Sequence, residues 1–215
     1  MTPPVAVHAW PAALPQALAD LRGHTGLAII SVPTALTANR PEARQAIRHA
    51  LQSTVATLLS QPLSAITVLS SPGQPVQVRT PGAKLHVAIS HMPGLSVAAI
   101  STHRAVGVDV MAFEDHAWPD WAQVAQDYMG PEVHAGLNLQ PPAQRFAAFC
   151  RAWVALESRL KCAGLGLTEW NAVLSQQLQR SPVAALALPP TCVGAVALQQ
   201  PPSTPKVLNQ PAIGR

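Results

Sequence analysis

The spacing of apolar positions changes several times along the chain, and each change marks an element. Leu27 to Val32 (LAIISV) is a compact apolar run between Gly26 and Pro33, which predicts a buried strand. From Pro41 to Leu59 the spacing becomes three and four: Ala43, Ile47, Ala50, Leu51, Val55 and Leu58 line one side of a helix. Asn39 is its expected N-cap, Pro41 suits the first turn, and Pro62 ends the run. A shorter apolar stretch, Ala12 to Leu21, predicts a short helix among prolines.

Four β-rich segments follow: Ala65 to Leu69 (AITVL), Lys84 to Ser90 (KLHVAIS), Leu95 to Ser101 (LSVAAIS) and Ala105 to Met111 (AVGVDVM). Turn residues separate them at Ser71-Pro72-Gly73, Pro81-Gly82, Pro93-Gly94 and His103-Arg104. The last three segments predict an antiparallel meander. Helical spacing returns at Trp118 to Tyr128 and from Pro142 to Cys162, with Gly164 and Gly166 as the stop. Trp170 to Leu178 and Val193 to Leu198 predict late strands, and residues 200–215 form a Pro-rich tail.

The order strand, helix, strands therefore occurs twice. It predicts an α+β fold of two similar lobes related by a pseudo-twofold, each a small antiparallel sheet packed with a long helix. The boundaries are 1–104 for the N-terminal lobe and 105–199 for the C-terminal lobe. No sequence repeat links the halves, so the duplication rests on element order alone.

Charged residues make up only 11% of the chain, against about 25% in ordinary soluble domains. The net charge is +4, and the basic residues are scattered in groups such as Arg40, Arg44 and Arg48. No basic run interleaved with aromatics occurs, which argues against a nucleic-acid groove but leaves local anion binding open. Cys150, Cys162 and Cys192 show neither metal-ligand spacing nor a disulfide framework, as expected of a cytoplasmic protein. Prolines interrupt the N-terminus and no uncharged apolar stretch reaches about 18 residues, so neither a signal peptide nor a membrane span is expected.

Three places carry candidate chemistry. Asp109 interrupts the apolar strand AVGVDVM, where a carboxylate is costly to bury without a partner. It is either a strand-end residue capping a turn or a ligand for a hard cation such as Mg²⁺, which takes one or two carboxylates plus phosphate oxygens. Trp153, Glu157 and Lys161 recur at i, i+4 and i+8 and share a helix face. Glu and Lys at that spacing are also an ordinary stabilising pair, yet the rest of the helix is mostly apolar, so these charges border a buried surface. In Ile89-Ser90-His91-Met92-Pro93-Gly94 a strand ends in Ser-His at a turn, where a histidine is either structural or a donor to phosphate.

Together and in this order, ISHMPG, GVDVM and WVALESRLKCAGLGL resemble the 4′-phosphopantetheinyl transferase superfamily, in its larger, monomeric, two-lobed form (the surfactin-synthetase-activating type). That family shows a Ser-His turn, then G-[IV]-D-[IV]-E, then W-x-x-K-E-[AS]-x-x-K and a glycine-rich stop. The helix around Arg44, the turn Gly73-Gln74-Pro75 and the strand Val193 to Leu198 extend the resemblance. It implies coenzyme A in a cleft between the lobes and transfer of its phosphopantetheine arm to a serine of an apo acyl or peptidyl carrier protein, releasing 3′,5′-ADP. It further implies Mg²⁺ held by Asp109 and Glu157, phosphates met by His91 and Lys161, and the adenosine 3′-phosphate met by Arg44. Ser90 and Gln74 fall at its coenzyme A site, Glu157 takes the serine proton, and Lys161 steadies the departing 3′,5′-ADP. The family's monomeric state is implied as well.

Three positions depart from the pattern. Met111 stands where the family has an acid on the face of Asp109, and Glu114 is the next acid along the chain. Leu156 and Gln74 replace lysines. These losses keep open a non-catalytic coenzyme A or carrier-protein binding module of the same fold, and behind it an unrelated α+β protein.

Overall fold

The computed structural model describes residues 3–36, 40–71, 74–113 and 119–200. Asn39, Pro72, Gly73, Glu114, Trp118 and the tail after residue 200, all named above, lie outside them. The fold is α+β, with small sheets packed against helices.

The first sheet has the order β1-β2-β6-β5, with β1 Val7–Ala9, β2 Leu27–Pro33, β5 His86–Met92 and β6 Leu95–Ser101. β1 joins β2 in parallel, so this sheet is mixed; the β2–β6 and β5–β6 pairs are antiparallel. Helix α1 (Leu14–Arg22) and the long helix α2 (Arg40–Leu59) bring Leu21, Ile47, Leu51 and Val55 against Ile30, Ala98 and Ile100 of the sheet. β3 (Thr67–Leu69) and β4 (Gln77–Arg79) form a small separate ladder.

The second sheet, in the order β7-β9-β8, is antiparallel and uses β7 Val106–Ala112, β8 Val183–Ala185 and β9 Cys192–Leu198. It carries α5 (Pro142–Cys162), which ends as its glycine stop predicts. Gly164 takes φ +70°, and the Leu165 amide bonds back to the Leu160 carbonyl at 2.9 Å. Between the two sheets, Ile29, Ala88, Val97 and Ala99 meet Val106, Val108 and Val110.

Two expectations are corrected. The meander stops after β6, because the free edge of β6 is filled by β2 along its whole length, from Leu27 opposite Ser101 to Pro33 opposite Leu95. β7 therefore leaves for β9. Residues 170–178 are not a strand: Ala172–Leu178 is helix α6. The Asn171 side chain caps it by accepting the Leu174 amide at 2.9 Å, and Leu174 and Leu178, one turn apart, are buried toward Leu160.

The remaining elements are short. The helical stretch before residue 128 is α3 (Trp121–Val124) running into a single π turn, Ala125–Met129, which Gly130 ends at φ +86°. α4 (Pro131–Asn138) and the three-residue strands β1, β4 and β8 are too short to show a period. No disulfide joins Cys150, Cys162 and Cys192, and all three are buried. Among the described residues no helix is long and apolar enough to cross a membrane.

Candidate active site

The site begins with a missing side chain. A Cβ at Gly107 on β7 would run into the Ser158 carbonyl and the Cys162 amide of α5. Glycine there lets the helix lie directly on the strand, and the Cys162 thiol bonds to the Ala105 carbonyl at 3.3 Å. Two residues on, and so on the same face of the strand, stands Asp109, only 7% exposed.

Asp109 lies mid-strand, paired with Ala195, so it caps no turn. Its Oδ1 accepts the Lys161 ammonium at 2.6 Å and the Ser90 hydroxyl at 2.7 Å. Lys161 also donates to the Val108 carbonyl at 3.3 Å, and the Ser90 oxygen accepts the Val110 amide at 3.3 Å. The buried charge thus has a cation and a hydroxyl donor, one from α5 and one from β5. Lys161 directs its ammonium across the helix–strand contact to Asp109 and away from the ordinary i, i+4 pairing with Glu157.

Glu157 lies one turn before Lys161, half-buried. Burial pushes its carboxyl above the usual range; the Lys161 ammonium pulls it down and the Asp109 charge pushes it up. The two carboxylates thus feel each other. Trp153, the third residue of that face, stacks on Phe149 with ring centroids 6.0 Å apart and meets Tyr128 edge-on at 6.1 Å. These ring contacts anchor the helix.

A cavity of about 250 Å³ opens beside Glu157 and Lys161, lined also by Gln74, Val76 and Ile89. A second, of about 320 Å³, shares Gln74, Val76 and Ile89 and reaches Arg44, Arg48 and His91. His91 is held by Ser96, whose hydroxyl lies 2.8 Å from Nδ1. Loss of water around the ring, and then the cations Arg44, Lys161, Arg48 and Arg40, push its pKa down to about 4. At neutral pH it is therefore an uncharged donor or acceptor among cations. A third cavity, of about 640 Å³, is also lined by Lys161 and reaches Lys84, His86 and Arg180.

The predicted residues thus fall into two connected groups: Asp109, Glu157, Lys161 and Ser90 at the helix–strand contact, and Arg44, His91 and Gln74 at the cation-rich end. Ser90 is buried and its hydroxyl is turned to Asp109. Arg48 was visible only as one of a basic group, yet it lines the same cavity as Arg44 one turn away. Its i, i+4 spacing from Arg44 was the available signal.

Met111 is drawn into an apolar cluster with Phe149, Cys150, Met129 and Ala125, and Leu156 packs at the edges of this cluster and of the Leu160 cluster. Among the described residues no group of three or more His, Cys, Asp or Glu side chains is placed to hold a metal ion. Two carboxylates that sense each other's charge are nonetheless a donor set suited to Mg²⁺, which keeps several waters and completes its shell with phosphate oxygens.

Residues 105–191, from the start of β7 to the loop before β9, match the family model described as the 4′-phosphopantetheinyl transferase superfamily. The matched segment contains Asp109, Glu157 and Lys161 but not the Arg44, Gln74 and His91 group. No curated protein matches the chain.

Proposed function

We propose, on the premise that residues 105–191 are a domain of that superfamily, that the chain transfers the 4′-phosphopantetheine arm of coenzyme A to a serine of an apo acyl or peptidyl carrier protein. The observation that carries this reading is that Lys161, bonded to the buried Asp109, lines with Glu157 a cavity that shares Gln74, Val76 and Ile89 with a second cavity reaching Arg44, Arg48 and His91. An anion with several phosphates needs such a line of cations, and Arg44 and Arg48 suit the adenosine 3′-phosphate.

In this reading Glu157 accepts the proton of the carrier serine hydroxyl, for which a carboxyl pushed upward by burial is the better base. The serine oxygen bonds to the phosphorus that bears the pantetheine arm. The bridging P–O bond breaks, and 3′,5′-ADP leaves with the electron pair. Lys161 faces the charge that develops on the departing oxygen, and His91 donates a neutral hydrogen bond to a phosphate oxygen. Asp109 and Glu157 would hold Mg²⁺, which when bound neutralises charge on the pyrophosphate. Ser90 and the helix–strand contact keep Asp109 in place.

The retreat of Met111 into the apolar cluster supports a second reading, in which the fold binds coenzyme A or a carrier protein without catalysis. Incubation with coenzyme A, Mg²⁺ and apo carrier proteins, followed by mass spectrometry, separates the two. The transferase gives a phosphopantetheinyl adduct that Asp109→Ala and Glu157→Ala abolish. No adduct on any carrier, with coenzyme A still bound, would establish the binding module.

A further inference from the structure

The geometry points to a second task for Lys161: in the metal-free protein it is the internal counter-ion of Asp109, and it competes with a divalent cation for that carboxylate. Ion loading and release of Lys161 toward the phosphates are then one coupled event. This rests on the reading above, in which Asp109 and Glu157 receive the ion.

Three features carry the inference. The ammonium is already seated on Asp109 Oδ1 at 2.6 Å, where it shares the oxygen with the Ser90 hydroxyl. A cation arriving at that carboxylate meets one already bound. Next, the charges do not balance for a dication while Lys161 stays. Two carboxylates less one ammonium leave a single negative charge, and Met111, apolar and packed away, adds none. With Lys161 withdrawn, two carboxylates face two positive charges. Finally, Lys161 has somewhere to go. Its side chain is 30% exposed and lines both the 250 Å³ cavity of Glu157 and the 640 Å³ cavity beyond. A fully enclosed ammonium could not leave; this one needs only to turn about its own stem.

The consequence is counterintuitive for a phosphate-binding lysine: its removal tightens the metal site. Mn²⁺ is titrated into the full chain without coenzyme A, followed by electron paramagnetic resonance. Lys161→Met should bind the ion about tenfold more tightly than the natural protein, the size of an ordinary coupling between two sites. Lys161→Arg, which keeps the cation, should remain near the natural affinity, and Asp109→Asn should lose binding in either background. Thermal melts give an independent readout: added MgCl₂ should raise the Tm of Lys161→Met more than that of the natural protein.

Equal or weaker Mn²⁺ binding by Lys161→Met overturns the counter-ion role, as does the absence of binding in every form. The transfer assay on the natural protein keeps this apart from the parent reading. Adduct formation with metal affinity indifferent to Lys161 sinks the inference alone. Lack of adduct sinks the transferase, while the titration still decides the competition.

Discussion

Gly107→Ala is the smallest change that tests the architecture of the site, since it adds one methyl group where β7 and α5 touch. The Gly107 φ lies outside the left-handed region, so the backbone would accept alanine and the only issue is space. The new Cβ meets the Ser158 carbonyl and the Cys162 amide, with the Ser158 carbonyl carbon at 3.0 Å. All three are backbone atoms and cannot rotate aside, so the helix itself must retreat. Overpacking of this kind costs about 3 kcal/mol, the upper end of the usual range. For a chain of this size that is a fall in Tm of roughly 10 °C. The same retreat carries Lys161 and Glu157 away from Asp109, and a misplacement of about 1 Å costs on the order of a hundredfold in rate. Urea denaturation gives the first quantity, and the rate of adduct formation at saturating coenzyme A gives the second. A Gly107→Ala protein with natural stability and natural rate would refute the argument that this contact sets the site.

Other expectations follow from single side chains. Because burial, and behind it the Asp109 charge against the pull of Lys161, hold the Glu157 carboxyl above its ordinary 4.5 in the metal-free protein, its ionisation followed by NMR without Mg²⁺ should have a midpoint above that value; a midpoint at or below it removes the basis for Glu157 as the base. His91 has its folded pKa lowered from 6.5 to about 4, so between those values the unfolded chain binds the extra proton and stability rises with pH. Replacement His91→Gln should flatten that part of the urea-stability profile, and an unchanged slope contradicts the assignment. Met111→Glu pushes a carboxylate toward Phe149 and Cys150 and should destabilise by about 1–3 kcal/mol; MgCl₂ should restore part of the loss in denaturation curves. Asn171→Ala removes the cap of α6 and should cost about 1 kcal/mol of stability, with the Mn²⁺ affinity unaltered.

The two long helices, the glycine stop at Gly164 and the strands β2, β5, β6, β7 and β9 were all legible, because each carries enough residues for a period to show. What failed needed information from outside the segment. Whether β7 pairs with β6 depends on whether β2 has already taken that edge, and no property of AVGVDVM reports it. Ala172 to Leu178 looks strand-like until Asn171 is recognised as a cap, a single residue against a run of seven. At the site, the motifs named Asp109, Glu157, Lys161 and His91 and their sides, but not their partners. The spacing of Glu157 and Lys161 is that of an ordinary helix pair, and only the closeness permitted by Gly107 turns Lys161 to Asp109 instead. Ser90, expected at the ligand, faces the same carboxylate because β5 lies against β7 at that height.

Gly107, Asp109 and Lys161 therefore act as one device, in which each residue is useful only with the others. The glycine brings the helix backbone onto the strand, and that closeness is what allows a lysine on α5 to reach a carboxylate two residues further along β7. Without the lysine and the Ser90 hydroxyl, a side chain only 11% exposed would carry an uncompensated buried charge, at a cost of about 3–5 kcal/mol. Without the carboxylate, the ammonium would have no reason to point into the sheet. A charge stabilised so closely by its own protein is held in position, but it is also partly neutralised before any ion arrives. On the proposed reading, precise placement of Asp109 and weak metal affinity in the resting protein would be two results of one contact, and the apolar Met111 on the same strand would make the second more pronounced.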